Sequence, residues 1–383
     1  MKPPLKVISL NIFIMGHITY QDVLEKTFGK HIPEIEFDSI HLTDYFKQDL
    51  LGRLVYWLLS QKLPGAEKAD YDFHRFRTEL ALSFFARRCL ERRLKNAQPD
   101  VLHLHTQGIA FLAVPLFKKF PSVVSIDYTA ALLAKDHPYP SRVTYQPIIA
   151  AEKKCFEAAA HVISWSDKAR KSVIEDYKIS PDKVTTIPPT VPLDILNSSA
   201  RKPAKKDKIR LLFVGNDFVR KGGEDLLAVF TEYLSDTCEL DLVTNANVKL
   251  PIVSNLRIHC GLLPLSPEIL HLYEMADIYV MPTHEDCTPL VFIEAIAAGL
   301  PCIGSTVMGI PELVQHGHNG FTVPPGDRQA LYQAISQLID NPDLRLSMGL
   351  SSKELAKNKY NAMANGKKIA EILSIVSQKG AST

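Results

Sequence analysis

Residues 277–301 read DIYVMPTHEDCTPLVFIEAIAAGLP, and the way this stretch divides decides the fold. A mostly apolar run, 277–281, has the length of a buried strand. A polar loop carrying Glu285 and Asp286 follows, and helical spacing starts near Pro289, with apolar residues returning every three to four positions over 290–298. Working outward, residues 209–223, IRLLFVGNDFVRKGG, repeat the pattern. A strand closes at Gly215, a loop holds Arg220 and Lys221, and a helix opens near Gly222-Gly223. Further strand candidates are 5–14, 101–105, 122–126, 161–164, 183–187, 239–243, 256–259, 301–304 and 320–323, with helical patterns such as 223–234 and 267–275 between them. Strand alternating with helix predicts an α/β class with parallel sheets and helices on both faces. The nearly continuous apolar character of each run fits strands covered on both sides.

At 383 residues the chain exceeds what one hydrophobic core holds, so two domains are expected. The polar, basic stretch 197–208, NSSARKPAKKDK, reads as the linker between residues 1–196 and 209–364. The last segment, 365–383, is helical in pattern and either caps the second domain or crosses back to the first. A net charge of +2 excludes a general field for nucleic acid. The six cysteines form no C-x-x-C pair, which excludes a disulfide framework or zinc site and suits a reducing cytosol. The run after Met1-Lys2 lacks a small-x-small cleavage site and is expected to be a buried first strand, and no apolar run reaches membrane-spanning length. No G-x-G-x-x-G opens the first strand, against a Rossmann dehydrogenase.

Two cations at the end of a strand, beside a helix N-terminus, make a pyrophosphate site. The helix end supplies partial positive charge and unpaired N–H groups, Arg220 a bidentate fork and Lys221 a point charge. Asp286 in its loop and Glu294 about one turn into the following helix are carboxylates placed to accept hydrogen bonds from sugar hydroxyls. The competing readings are a solvated turn for the cations, a simple helix cap for Asp286 and a surface ion pair for Glu294.

The second segment resembles the signature of the retaining GT-B glycosyltransferases of family 4 (glycosyl transferases group 1). Their pattern is an acidic residue, seven residues, then E-A-x-A-x-G-x-P, and here Asp286 is followed by Glu294-Ala295-Ile296-Ala297-Ala298-Gly299-Leu300-Pro301. Gly309-Ile310-Pro311-Glu312, His316-Gly317-His318-Asn319-Gly320 and Pro324-Pro325-Gly326-Asp327 are also similar to the family. The resemblance implies the GT-B fold, two Rossmann-like domains with parallel sheets facing across a cleft. It implies a hexose-type sugar moved, with retention, from a nucleotide-diphosphate sugar to a hydroxyl acceptor (a saccharide, lipid-linked glycan or small molecule). It further implies that Arg220 and Lys221 hold the diphosphate, that Glu294 meets the ribose and that Asp286, with Glu285 adjoining, meets the transferred sugar. The turn Cys287-Thr288-Pro289-Leu290 would approach sugar and phosphate, Leu263 the base, and Gly16 would admit the diphosphate at close range. Gly215 and Asn216 line the donor side, Asn216 standing where the family has a frequent Arg. Where many members place a His, this chain has Asp127-Tyr128-Thr129, which leaves Asp127 and His105 both as acceptor-side candidates. No metal motif is present, so metal-independent transfer without a cofactor is expected. A non-catalytic nucleotide-sugar binder and a sugar-nucleotide epimerase are the alternative readings.

Residues 73–95 carry seven Arg/Lys against two Glu, and 50–63 is strongly apolar. The two together read either as packed helices with a solvated basic face or as a peripheral contact of 50–95 with an anionic membrane, on an otherwise cytoplasmic protein.

Overall fold

The computed structural model describes residues 3–12, 15–46, 48–63, 65, 73–136, 141–192, 208–248 and 253–380. Its first sheet contains β1 (Leu5–Asn11), β2 (Ile35–His41), β3 (Val101–His105), β4 (Ser122–Ile126), β5 (His161–Ser164) and β6 (Val184–Thr186), ordered β2-β1-β3-β4-β5-β6. The second contains β7 (Ile209–Val214), β8 (Cys238–Val243), β9 (Leu256–His259), β10 (Ile278–Val280), β11 (Cys302–Ser305) and β12 (Gly320–Val323), ordered β12-β11-β10-β7-β8-β9. All pairings within both sheets are parallel. The α/β class and parallel pairing expected from the alternating pattern are what the structure shows.

The central strands confirm why the pattern was readable. β3 and β4 are buried at every position, as a sheet covered on both faces requires. β2 was missing from the expected strands, and its sequence, IEFDSIH, explains why. It lies at the sheet edge, paired only to β1, so partial exposure permits Glu36, Asp38 and His41 among its apolar residues. The first run, expected over 5–14, pairs only as Leu5–Asn11, and residues 13–14 lie outside the described residues.

Each sheet belongs to its own unit. The first unit comprises Met1–Pro189 with Ala362–Thr383, and the second Thr190–Asn361. The helix Ala362–Gly380 buries Ile369, Ala370, Leu373 and Val376. At its start, Asn365 Nδ2 donates to the Pro188 carbonyl at 3.1 Å, and Gly366 packs against Thr27 of the helix Met15–His31. Of the linker at 197–208, all but Lys208 lies outside the described residues.

Candidate functional site

In the second sheet, the chain leaves β7 toward β8 and β9 and leaves β10 toward β11 and β12. β7 and β10 are neighbours, with Ile278 opposite Leu211 and Tyr279 opposite Leu212. Their following loops therefore diverge from adjacent carboxyl ends. This is the topological switch point, where open α/β sheets bind ligands. Gly215, Asn216, Arg220 and Lys221 occupy the loop after β7, and Glu285, Asp286, Cys287, Thr288 and Pro289 the loop after β10.

The two loops are clamped by backbone. The Arg220 carbonyl accepts from the His284 N–H at 2.8 Å and from the Thr283 hydroxyl at 3.0 Å. Gly222 makes that approach possible. Its φ is +75°, and a Cβ there would lie 2.0 Å from the Pro282 carbonyl oxygen. Farther along, a Cβ on Gly309 would lie 2.2 Å from the Cys287 carbonyl oxygen, so the loop after β11 also closes on this region.

The site's cations are held by its own acids. Lys221 Nζ pairs with Asp286 Oδ2. Arg220 Nε donates to Asp217 Oδ2 at 2.7 Å, its Nη1 donates to the Glu285 carbonyl at 2.5 Å, and Nη1 lies 3.8 Å from Asp286 Oδ2. The Arg220 guanidinium holds the Asp217 carboxyl below its usual range. Asp286 is not a helix cap. The helix Leu290–Ala298 has Pro289 at its N-cap and no side-chain cap bond, leaving its N-terminal N–H groups without a capping side chain. The buried Thr288 hydroxyl beside them has no hydrogen-bond partner among the described residues. N–H groups at a helix N-terminus without a side-chain cap, on the loop that pairs with Arg220 and Lys221, form an anion-binding arrangement.

Glu294 sits in that helix but is nearly wholly buried. The Tyr273 hydroxyl donates to its Oε2 at 2.9 Å. Burial pushes the Glu294 carboxyl up to about 7 from 4.5, only partly offset by that bond. The neutral form is thus favoured by folding, so this contribution is fully present below pH 4.5 and is lost as pH rises through 7. The shift corresponds to on the order of 3 kcal/mol. Glu294→Gln keeps an acceptor for Tyr273 without the charge. Thermal unfolding of both proteins across this range should show the variant gaining on wild type as pH rises. A difference independent of pH would refute the assignment.

Sequence reasoning missed a second charged group. His284 Nε2 and Asp225 Oδ2 are 2.7 Å apart, and Arg328 Nε donates to Asp225 Oδ1 at 2.7 Å, bracing the loop after β10 from outside. Asn216 Oδ1 accepts from the Asn245 N–H at 3.0 Å, tying its loop to the one after β8. Leu263, after β9, is an exposed apolar side chain.

The remaining expected residues lie in the first unit, at the corresponding switch point between β1 and β3. Gly16 stands at the start of the helix Met15–His31, and a Cβ there would meet nothing within 4 Å. Asp127 follows β4 and His105 ends β3, and between them lies His17, which sequence reasoning passed over. His17 Nδ1 is 3.1 Å from His105 Nε2, and His17 Nε2 is 3.7 Å from Asp127 Oδ2. Trp165 stacks on His17 and Tyr20 on His105. Burial holds both histidines below the ordinary range, with Asp127 opposing it for His17. The network also assigns their tautomers. His105 Nδ1 is buried without a partner among the described residues, which a lone pair tolerates better than an N–H. His105 therefore donates from Nε2 to His17 Nδ1, and His17 presents Nε2–H on the side of Asp127. Thr106, directly after His105, has φ +140°, a strained value for a residue with a Cβ and a mark of functional sites.

The family described as Glycosyltransferase Family 4 matches residues 54–195, and Glycosyl transferases group 1 matches residues 208–341. A D-inositol 3-phosphate glycosyltransferase of Streptomyces scabiei is 25% identical over 68% of this chain, which spans 64% of that relative's length. The sucrose-phosphate synthase of Thermosynechococcus elongatus superposes with a TM-score of 0.69 at 17% identity, over 99% of this chain and 100% of that one. HepE of Anabaena, crystallised with UDP and glucose, superposes with a TM-score of 0.67 at 14% identity, over 97% and 99%. At such identities these likenesses concern the fold, which is that of the GT-B glycosyltransferases. With matches on both units, and the acidic motif of 286–301 seated at the switch point of the second sheet, the chain belongs to the family 4, group 1 glycosyltransferases.

Proposed function

We propose that the protein is a retaining glycosyltransferase that moves a hexose-type sugar from a nucleotide-diphosphate sugar to a hydroxyl acceptor without a metal ion. The observation that carries this reading is the pairing of Arg220 and Lys221 with the uncapped N-terminus of the helix Leu290–Ala298 at the switch point. A diphosphate competes there for cations that Asp217, Asp286 and the Glu285 carbonyl now hold. Once Lys221 turns to phosphate, the Asp286 carboxylate is released to accept from sugar hydroxyls.

In the transfer, the bond from the anomeric carbon to the donor's phosphate oxygen breaks and the acceptor oxygen bonds that carbon on the same face. The acceptor proton passes to the departing phosphate oxygen. No enzymatic nucleophile is needed. The protein positions the reactants and stabilises the charge growing on the diphosphate, the two effects that lower such a barrier most. Arg220 and Lys221 supply the charge that a divalent cation would otherwise provide. Asp127 and the His17 Nε2–H, oriented through His105, are the first-unit groups we assign to the acceptor side.

The test is nucleotide release from UDP-, GDP-, ADP- and dTDP-sugars with candidate saccharide and lipid acceptors, with and without EDTA. HepE's complex with UDP puts the uridine donors first. Release from one donor, undiminished by EDTA, is expected. Tight nucleotide binding without release from any donor would favour a non-catalytic binder, and an epimerised nucleotide-sugar would favour an epimerase.

A further inference from the structure

The helix Leu50–Leu59, LLGRLVYWLL, shows solvent the face that a core helix would hide. Gly52 is its only fully buried residue. Leu50, Leu51, Leu54, Trp57 and Leu58 are each between 48% and 76% exposed, with Leu63 exposed just beyond. Helical geometry puts these positions on one face. The back of the helix is firmly held. Asp49 accepts from the Gly52 N–H at 3.2 Å, takes two hydrogen bonds from Arg88 at 2.7 and 3.0 Å, and lies 3.4 Å from Arg92. A Cβ on Gly52 would lie 2.5 Å from Phe85 of the helix His74–Arg93, so backbone and ring are in close contact. A contiguous apolar face on a helix so anchored marks an interaction surface.

Charge selects the partner. Within 50–63 the only charged residues are Arg53 and Lys62, both cationic and exposed, and the adjoining acid, Asp49, is buried in its ion pairs. The arginines of the helix His74–Arg93 do not provide the basic surface. Arg75 pairs with Glu79, Arg87 with Glu91, Arg88 and Arg92 with Asp49, and Arg93 with Asp38. Arg77 donates to the carbonyls of Leu59 and Gln61. Among the described residues of 50–63, what faces outward is an apolar ridge edged by two cations and no acid, the pattern of a helix lying in the headgroup layer of an anionic bilayer.

We propose that the helix Leu50–Leu59, with Lys62 and Leu63, lies in the plane of an anionic lipid surface and anchors the first unit to it. The protein's two tryptophans make this measurable. Trp165 is buried and Trp57 exposed, so a vesicle-induced change in emission reports Trp57. Full-length protein should sediment with vesicles of phosphatidylcholine and phosphatidylglycerol, with a blue shift of Trp57, and bind phosphatidylcholine alone less. Leu54→Ser with Leu58→Ser, which leaves Trp57 in place, should lower partitioning by about tenfold or more. Arg53→Glu should lower only the preference for anionic vesicles. Wild-type protein that fails to bind, or a double variant that binds equally well, overturns the proposal. So does a wild-type dimer that the double variant converts to monomer without any vesicle binding, because the ridge is then a contact between two copies.

Discussion

Lys221→Ala should lower kcat/KM for sugar transfer by about 10²–10³, or about 3–4 kcal/mol of transition-state stabilisation, the range for removing one preorganised charge-stabilising group. The Lys221 ammonium is mostly shielded and paired with an equally shielded Asp286, so its charge acts through a medium less polarisable than water. Negative charge on the diphosphate grows as the glycosidic bond breaks. The loss should therefore fall mainly on kcat, with a smaller rise in KM. Arg220 remains near Asp286, at 3.8 Å, and preserves part of the binding. Removing Lys221 also strands Asp286, and Lys221→Ala with Asp286→Asn separates the two effects. If the stranded carboxylate caused the loss, the double variant recovers; if the missing cation caused it, the double variant is no better. Steady-state kinetics on the identified donor makes the check, and an unchanged rate for Lys221→Ala would remove the diphosphate role from this residue.

Gly222→Ala should be among the most damaging single-methyl substitutions in the second unit. The left-handed φ of +75° alone costs roughly 1 kcal/mol for a residue with a Cβ. The larger penalty is steric. The new carbon would lie 2.0 Å from the Pro282 carbonyl oxygen and 2.6 Å from its carbon, atoms of a backbone that cannot rotate aside. Relief requires the loops after β7 and β10 to part, breaking the bonds from His284 and Thr283 to the Arg220 carbonyl. A total of about 3 kcal/mol is expected, roughly 6–12 °C in the unfolding temperature of a unit this size. Because Arg220, Lys221 and Asp286 all ride on those loops, turnover should fall even well below the unfolding temperature. Calorimetry and kinetics at low temperature make the comparison. A variant as stable and as active as wild type would show that the loops do not depend on this contact.

The arrangement at the switch point of the second sheet was largely readable because its parts are close in sequence. Strand, acidic loop and helix within 277–301 place Asp286 and Glu294 by local geometry alone, and the cations of 220–221 sit on a second such unit. The first unit was harder. His17 is a lone histidine after a glycine, and nothing local distinguishes it. It joins a network only when β1, β3 and β4 align and bring His105, 88 residues away, to one side and Asp127 to the other. Arg328 reaches Asp225 across 103 residues for the same reason. β2 escaped because an edge strand can be partly exposed, and partial exposure erases the apolar run that marks a central one.

The apolar helix Leu50–Leu59 is the clearest division between the two sources. Composition predicted a helix there but could not say which way it faces, since LLGRLVYWLL would serve equally well in a core. The chain alone sufficed for the α/β class and for every strand of both sheets except β2, which follow from periodicity over a few turns of chain, and for the motif residues of the second sheet, which the family resemblance marked. Packing between distant segments set the rest: Asp286 pairs with Lys221 instead of capping a helix, Glu294 is buried against Tyr273, His17 stands between His105 and Asp127, and the Leu50–Leu59 ridge faces outward. Each of these depends on which distant segment supplies the neighbouring atoms, and burial and electrostatics are set by neighbours in space.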